Sequence, residues 1–130
     1  PENTPRLEHL VAANSCQHAV SIAALDWTQP LPPSVSSKRW DLIIAADCVF
    51  WPPLFEPLLA TCAALAAEDR GPPPRVVLGM VDRIGRAQQF AAVAHAAGWV
   101  LEPFTSPAAE TQDAQNMAAR SLAALQRDSC

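Results

Sequence analysis

The chain of 130 residues has no tyrosine, four glycines and nine lysines and arginines in all. Each shortage excludes something. The nine basic residues are scattered and the net charge is -4, so no basic stripe exists to neutralise phosphates, and direct nucleic-acid binding is not expected. The four cysteines, Cys16, Cys48, Cys62 and Cys130, form no CxxC pair and are not interleaved with histidines at metal-ligand spacing. Neither a zinc site nor a disulfide framework is suggested, and a reducing compartment is the default. No apolar run approaches the roughly 20 residues of a membrane span, and PENTPRLEHL has neither the basic nor the apolar region of a secretory signal. The expected location is the cytoplasm, with the nucleus as the alternative. No serine lies in GxSxG, so a hydrolase triad has no nominee. The isolated histidines His9, His18 and His95 are expected to be structural or surface residues.

What is present suits one compact domain, because half of the residues are hydrophobic. In RLEHLVAAN, Leu7, Leu10 and Val11 recur at helical spacing, and Asn14 is a C-terminal cap residue. HAVSIAALDW alternates Val20, Ile22 and Ala24, which predicts a strand ending at Asp26 and Trp27. QPLPPSVSSKR is a connector. DLIIAADCV is a near-continuous apolar run of the kind found in a parallel strand covered on both faces. Pro52 and Pro53 end it, and Leu54, Leu58, Cys62 and Leu65 then mark a helix. RVVLGMV predicts another strand, and RAQQFAAVAHAAGW a helix with Phe90, Val93, Ala94 and Ala97 on one face and Gly98 as its stop. WVLEPF is a further strand, and residues 105–130 form a helix-prone tail. Strands alternating with helices predict an α/β fold with a largely parallel sheet.

In open α/β sheets, ligands bind beyond the carboxyl ends of the strands. Two such ends carry an acid beside aromatics: Asp26 with Trp27, and Asp47 with Phe50 and Trp51. An acid can hold an amine or hydroxyl while a ring stacks on a flat group, which would suit a nucleoside-like cofactor. The same acids can equally cap turns or helices. Asp82 ends a third strand, where a turn is the simpler expectation. Asp47 raises its own question, since a carboxylate at the end of a strand buried on both faces is costly without a partner.

LDW after one strand, then DLIIAADCVF, then a helix of the type FEPLLATCAAL, resembles the seven-β-strand protein lysine methyltransferases, also called methyltransferase family 16. The resemblance covers roughly residues 1–104, a partial methyltransferase domain. It implies a partial Rossmann-like sheet with helices on both faces, and methyl transfer from S-adenosylmethionine to a lysine amine of a protein substrate. By position, Trp27 would lie beside the adenine, Asp26 near its exocyclic amine, and Ala46 along the cofactor pocket. Glu2 would fall near the acid that holds the ribose. Asp47 and Phe50, in the acid-x-x-aromatic motif Asp47-Cys48-Val49-Phe50, would shape the mouth for the target lysine.

The pattern is incomplete. The strand order of that fold is 3-2-1-4-5-7-6, and the chain opens at Pro1 without its first two strands. Gly71, Gly79, Gly85 and Gly98 never form the GxG of its glycine-rich turn. The antiparallel last strand is replaced, in this reading, by the helix-prone tail. The expectation is a truncated form with at most a weak hold on the cofactor. The alternatives are a non-catalytic interaction module derived from such an enzyme, and a small-molecule methyltransferase.

Overall fold

The computed structural model describes residues 3–67, 71–82, 84–103 and 122–127. The chain divides into two compact units, Pro1–Lys38 and Arg39–Cys130.

In the first unit, helix α1 spans Thr4–Ala13, with proline in its first turn, where no intrahelical N–H bond is lost. It ends as its sequence predicts. Asn14 Nδ2 donates to the Leu10 carbonyl at 2.8 Å, while Ser15 N–H donates to Ala12 O and Cys16 N–H to Val11 O. Those two backbone bonds form a Schellman motif, with Ser15 in the left-handed region at φ 54°. None of the α1 residues is fully buried: of the stripe, Leu7 and Leu10 are exposed and Val11 is half-buried. The strand expected across Val20–Ala24 is not formed, because alternation supplies a face but a ladder also needs a neighbour for its N–H and C=O groups. The expected connector contains one helical turn, α2 (Pro33–Ser36), which Pro33 opens and in which Val35 is buried.

The second unit holds a four-stranded sheet. Strand β1 (Leu42–Ala46) leads through a 3₁₀ turn, Pro52–Leu54, into helix α3 (Phe55–Leu65). Strand β2 (Arg75–Gly79), helix α4 (Arg86–Ala96), strand β3 (Trp99–Pro103) and strand β4 (Leu122–Arg127) follow. β1 and β2 are parallel, with Ile43 opposite Val76 and Ala45 opposite Leu78. β4 runs antiparallel to both β2 and β3, which gives the order β1-β2-β4-β3. The unit is therefore α/β with a parallel strand pair and a helical crossover, as a run of strand, helix and strand dictates.

Two expectations need correction. Over Leu122–Arg127 the tail is a strand, not a helix, because β2 and β3 each offer an unpaired edge whose hydrogen bonds outweigh the helix propensity of alanine and leucine. Residues 105–121 and 128–130 lie outside the described residues. Nor is β1 covered on both faces: Ile43 and Ala45 are shielded, whereas Leu42 and Ala46 are exposed and Ile44 is 69% exposed. The alternation along the strand puts one apolar set toward the core and the other toward solvent.

The core lies against the shielded face. Phe55, Leu59, Val76 and Cys62 are its largest fully buried side chains. Phe55 meets Phe90 of α4 edge-on, with ring centroids 5.3 Å apart and planes at 87°. Val93 is half-buried and Ala97 exposed, so the buried stripe of α4 narrows to Phe90 and Ala94. Gly98, at φ 78°, ends α4 in a conformation that glycine adopts without strain and lets Trp99 turn into the core. Among the described residues no helix is long and apolar enough to cross a membrane.

Candidate functional site

The site is built where β1 ends. Asp47 follows the last β1 residue at φ 53°, in the left-handed region that aspartate tolerates better than most residues. Its N–H donates to Gly79 O at 2.6 Å, which carries the β1–β2 ladder one step further before the chain turns away. The side chain is exposed. The desolvation cost raised by the sequence therefore does not arise, because water reaches the carboxylate. Residues held in this backbone region cluster at functional sites, so the outlier marks Asp47 for attention.

Asp47 lines a cavity of about 290 Å³ together with Val49, Phe50, Val81, Ile84 and Arg86. Val49 is buried, whereas Phe50 is 64% and Ile84 68% exposed. Two aliphatic rim residues and a ring thus stand beside one carboxylate and one guanidinium. Such walls suit a ligand with an apolar stem and a charged head, since the stem can lie along carbon while the head finds its counter-charge. The cavity opens beyond the carboxyl ends of two parallel strands, the position at which α/β sheets take their ligands.

Arg86 opens α4. Its N–H donates to Asp82 Oδ1 at 2.8 Å, so the Asp82 carboxylate is engaged in the approach to α4, whose N-cap position Gly85 occupies. Arg86 Nη1 donates to Gln89 Oε1 at 2.8 Å. Its Nε is buried and has no hydrogen-bond partner.

Cys48 is held away from nucleophilic chemistry. Its thiol donates to Ala46 O at 3.3 Å, and burial, followed by the negative charge of Asp47, raises its pKa. The buried Cys62 thiol is pushed up to about 11, first by desolvation and then by Cys48. Both are neutral thiols near pH 7, and the thiolate is the reactive form.

Of the other residues singled out by sequence, Ala46 is the exposed last residue of β1, and Trp51 lies exposed beyond the motif. Asp26 and Trp27 belong to the first unit, where Trp27 is half-buried. The Thr28 hydroxyl and N–H both donate to Asp26 Oδ1, at 2.7 and 2.9 Å. These bonds, the hydroxyl first, hold the Asp26 carboxyl below its ordinary value. Thr28→Val is expected to move the Asp26 pKa upward, which an NMR titration of the carboxyl would show; an unchanged value would assign the shift elsewhere. Because the folded value is depressed, any stability linked to it is present above the ordinary carboxylate range and fades as pH falls through the lowered value. Glu2 lies outside the described residues.

The sequence reading brought Asp47 and Phe50 forward and missed Arg86, Val81 and Ile84. The signal existed. Val81 and Ile84 follow the next parallel strand, β2, and the strand-end rule that picked out Asp47 applies to them, though not to Arg86, which lies further on in α4.

A sheet with helices joining its strands and a charged, apolar-walled cavity at its strand ends defines a domain of the α/β class. A model of the lysine methyltransferase family matches residues 1–95, and the chain belongs to that family. No curated protein matches it.

Proposed function

We propose that this chain serves methyl transfer from S-adenosylmethionine to a lysine amine of a protein, with the cavity beside Asp47 receiving the lysine. The observation that carries the reading is the lining itself: one carboxylate among Val49, Phe50, Val81 and Ile84. A lysine is a four-carbon apolar stem with an amine at its tip, and those walls match both parts. The family match over residues 1–95 supports the reaction class. The order β1-β2-β4-β3 is compatible with the last four strands, 4-5-7-6, of the class I methyltransferase sheet.

For the cofactor, the donor chemistry fits an adenosyl group. Asp26 is bonded by Thr28 through Oδ1, which leaves Oδ2 to accept from an exocyclic amine, and Trp27 offers a ring for stacking. Ala46, the small and exposed last residue of β1, and Glu2 are the further cofactor contacts that the family resemblance implies. When bound, S-adenosylmethionine supplies an electrophilic methyl group on a sulfonium. The residues of this chain supply placement. The Asp47 carboxylate accepts a hydrogen bond from the amine and fixes its direction, while Phe50, Val81 and Ile84 exclude water from the stem. The transfer requires the neutral amine; the Asp47 carboxylate favours the ammonium form, so the proton is lost to water before the amine attacks the methyl group. Alignment matters more than a strong base here.

The test is calorimetry of the full chain with S-adenosylmethionine. Stacking on an aromatic ring contributes about 1–3 kcal/mol, so Trp27→Ala is expected to weaken binding by about fivefold or more. Micromolar binding lost in that variant supports the site. Binding absent even at millimolar cofactor would favour the second reading, a non-catalytic interaction module, for which the exposed Leu42, Ile44 and Trp51 offer apolar contact surface.

A further inference from the structure

Val81, Ile84 and Arg86 all border the cavity beside Asp47, and all come from the short stretch between β2 and the first turn of α4. Core residues are held by their neighbours, but Val81 is 40% and Ile84 68% exposed, so packing does little to fix them. The backbone does little more: among the described residues, no backbone–backbone hydrogen bond engages Val81, Asp82 or Ile84. Gly85, at φ 71° in the left-handed region, has open space where a Cβ would stand, so it turns the chain without anchoring it. The bond that closes the stretch runs from Arg86 N–H to Asp82 Oδ1, at 2.8 Å. It is charge-assisted, and it ties the residue after Val81 to the residue two beyond Ile84. Asp82 itself does not line the cavity.

We infer that Asp82 is a positioning residue: its carboxylate holds Val81 and Ile84 in the places where they enclose the aliphatic stem of the target lysine. The inference rests on the lysine reading of the cavity and adds to it a residue that touches no substrate. A wall already in place needs no ordering when the stem enters, whereas a loose one must be fixed at the expense of binding. Asp82 therefore acts on the stem and not on the amine. Asp47, the partner of the amine in that reading, follows the other strand and keeps its own backbone bond to Gly79. The two acids divide the ligand between them, one by contact and one through the chain.

The experiment titrates the full chain with two short acetylated and amidated peptides that differ only in carrying lysine or norleucine at one position, and follows urea unfolding of each variant. Asp82→Ala is expected to weaken both peptides by the same factor, roughly fivefold, the size of an added ordering step. Its unfolding midpoint should stay almost unchanged, because Asp82 is exposed. Asp82→Asn keeps an acceptor oxygen and drops the charge, and it is expected to restore most of the lost affinity. The ratio of lysine to norleucine binding should be the same in all three proteins. Unchanged peptide binding in Asp82→Ala overturns the proposal, as does a loss confined to the lysine peptide, which would assign the effect to charge at the amine. So does a loss matched by a fall in the unfolding midpoint, a loss that Asp82→Asn does not repair, or failure of both peptides to bind the unaltered chain. If lysine and norleucine peptides bind equally well and both weaken in Asp82→Ala, the lysine reading fails and the positioning role stands. A preference for lysine that Asp82→Ala leaves intact, with neither peptide weakened, has the opposite meaning.

Discussion

A chain ending at residue 121 is expected to lose cooperative unfolding. The strand removed, β4, lies between β2 and β3 and pairs with both, through four register pairs on one side and five on the other. Without it β3 has no strand neighbour among the described residues, and β2 keeps only β1. At about 0.5–1.5 kcal/mol net for each ladder hydrogen bond, the two ladders together are worth on the order of 5–10 kcal/mol. That equals the entire stability of many domains of this size. The exposed edges would also invite pairing between chains, so association should accompany the loss. Urea unfolding followed by circular dichroism, with amide exchange at Val76 and Val77, measures the effect. A sharp transition at an unchanged midpoint would show that the sheet does not depend on β4.

The same strand shows what sequence could and could not reveal. Residues 42–46, 55–65, 75–79, 86–96 and 99–103 carry their structure in local patterns: apolar runs bounded by prolines and glycines, and helical spacing of large side chains. Those elements were legible because propensity, periodicity and punctuation agree in them. Leu122–Arg127 lacks that agreement. Its composition favours a helix, and its strand state comes from two waiting edges far away in sequence. Val20–Ala24 is the mirror case, since its alternation is that of a strand yet no ladder forms there. Strand identity belongs to the pair, and a single segment shows only half of it.

In the cavity the division is similar. Asp47 and Phe50 were recognisable because an acid and a ring directly follow a strand pattern. Arg86 lies seven positions beyond the end of β2 and inside a helix, where an arginine ordinarily reads as a solvated side chain. Its place in the lining follows from the parallel pairing of β1 with β2, which brings the two strand ends side by side. Sequence also left Asp26 open between a ligand-binding and a turn role. The bonds from Thr28 occupy one carboxylate oxygen, so the turn role is realised without consuming the group.

Two phenylalanines five positions apart supply the sharpest contrast in expected effect. Phe55 is 1% exposed and meets the buried Phe90 edge-on, whereas Phe50 is 64% exposed at the cavity rim. Phe55→Ala removes a ring from a packed core and leaves a cavity, at a cost of about 3–5 kcal/mol. Phe50→Ala removes a ring mostly in water, and surface changes of that kind stay within about 0.5 kcal/mol. The first should therefore lower the unfolding midpoint sharply, since domains of this size have about 5–15 kcal/mol in total. The second should leave the unfolding midpoint almost unchanged while weakening peptide binding at the cavity. Phe90→Ala in a double-mutant cycle with Phe55→Ala should show coupling of at least about 0.5–1.5 kcal/mol, because the edge-on pair loses its geometry with either ring. Urea unfolding of the three single variants and the double variant decides the matter. A Phe50→Ala protein as unstable as Phe55→Ala would mean that the Phe50 ring packs into the core, and the rim of the cavity would then have to be drawn without it.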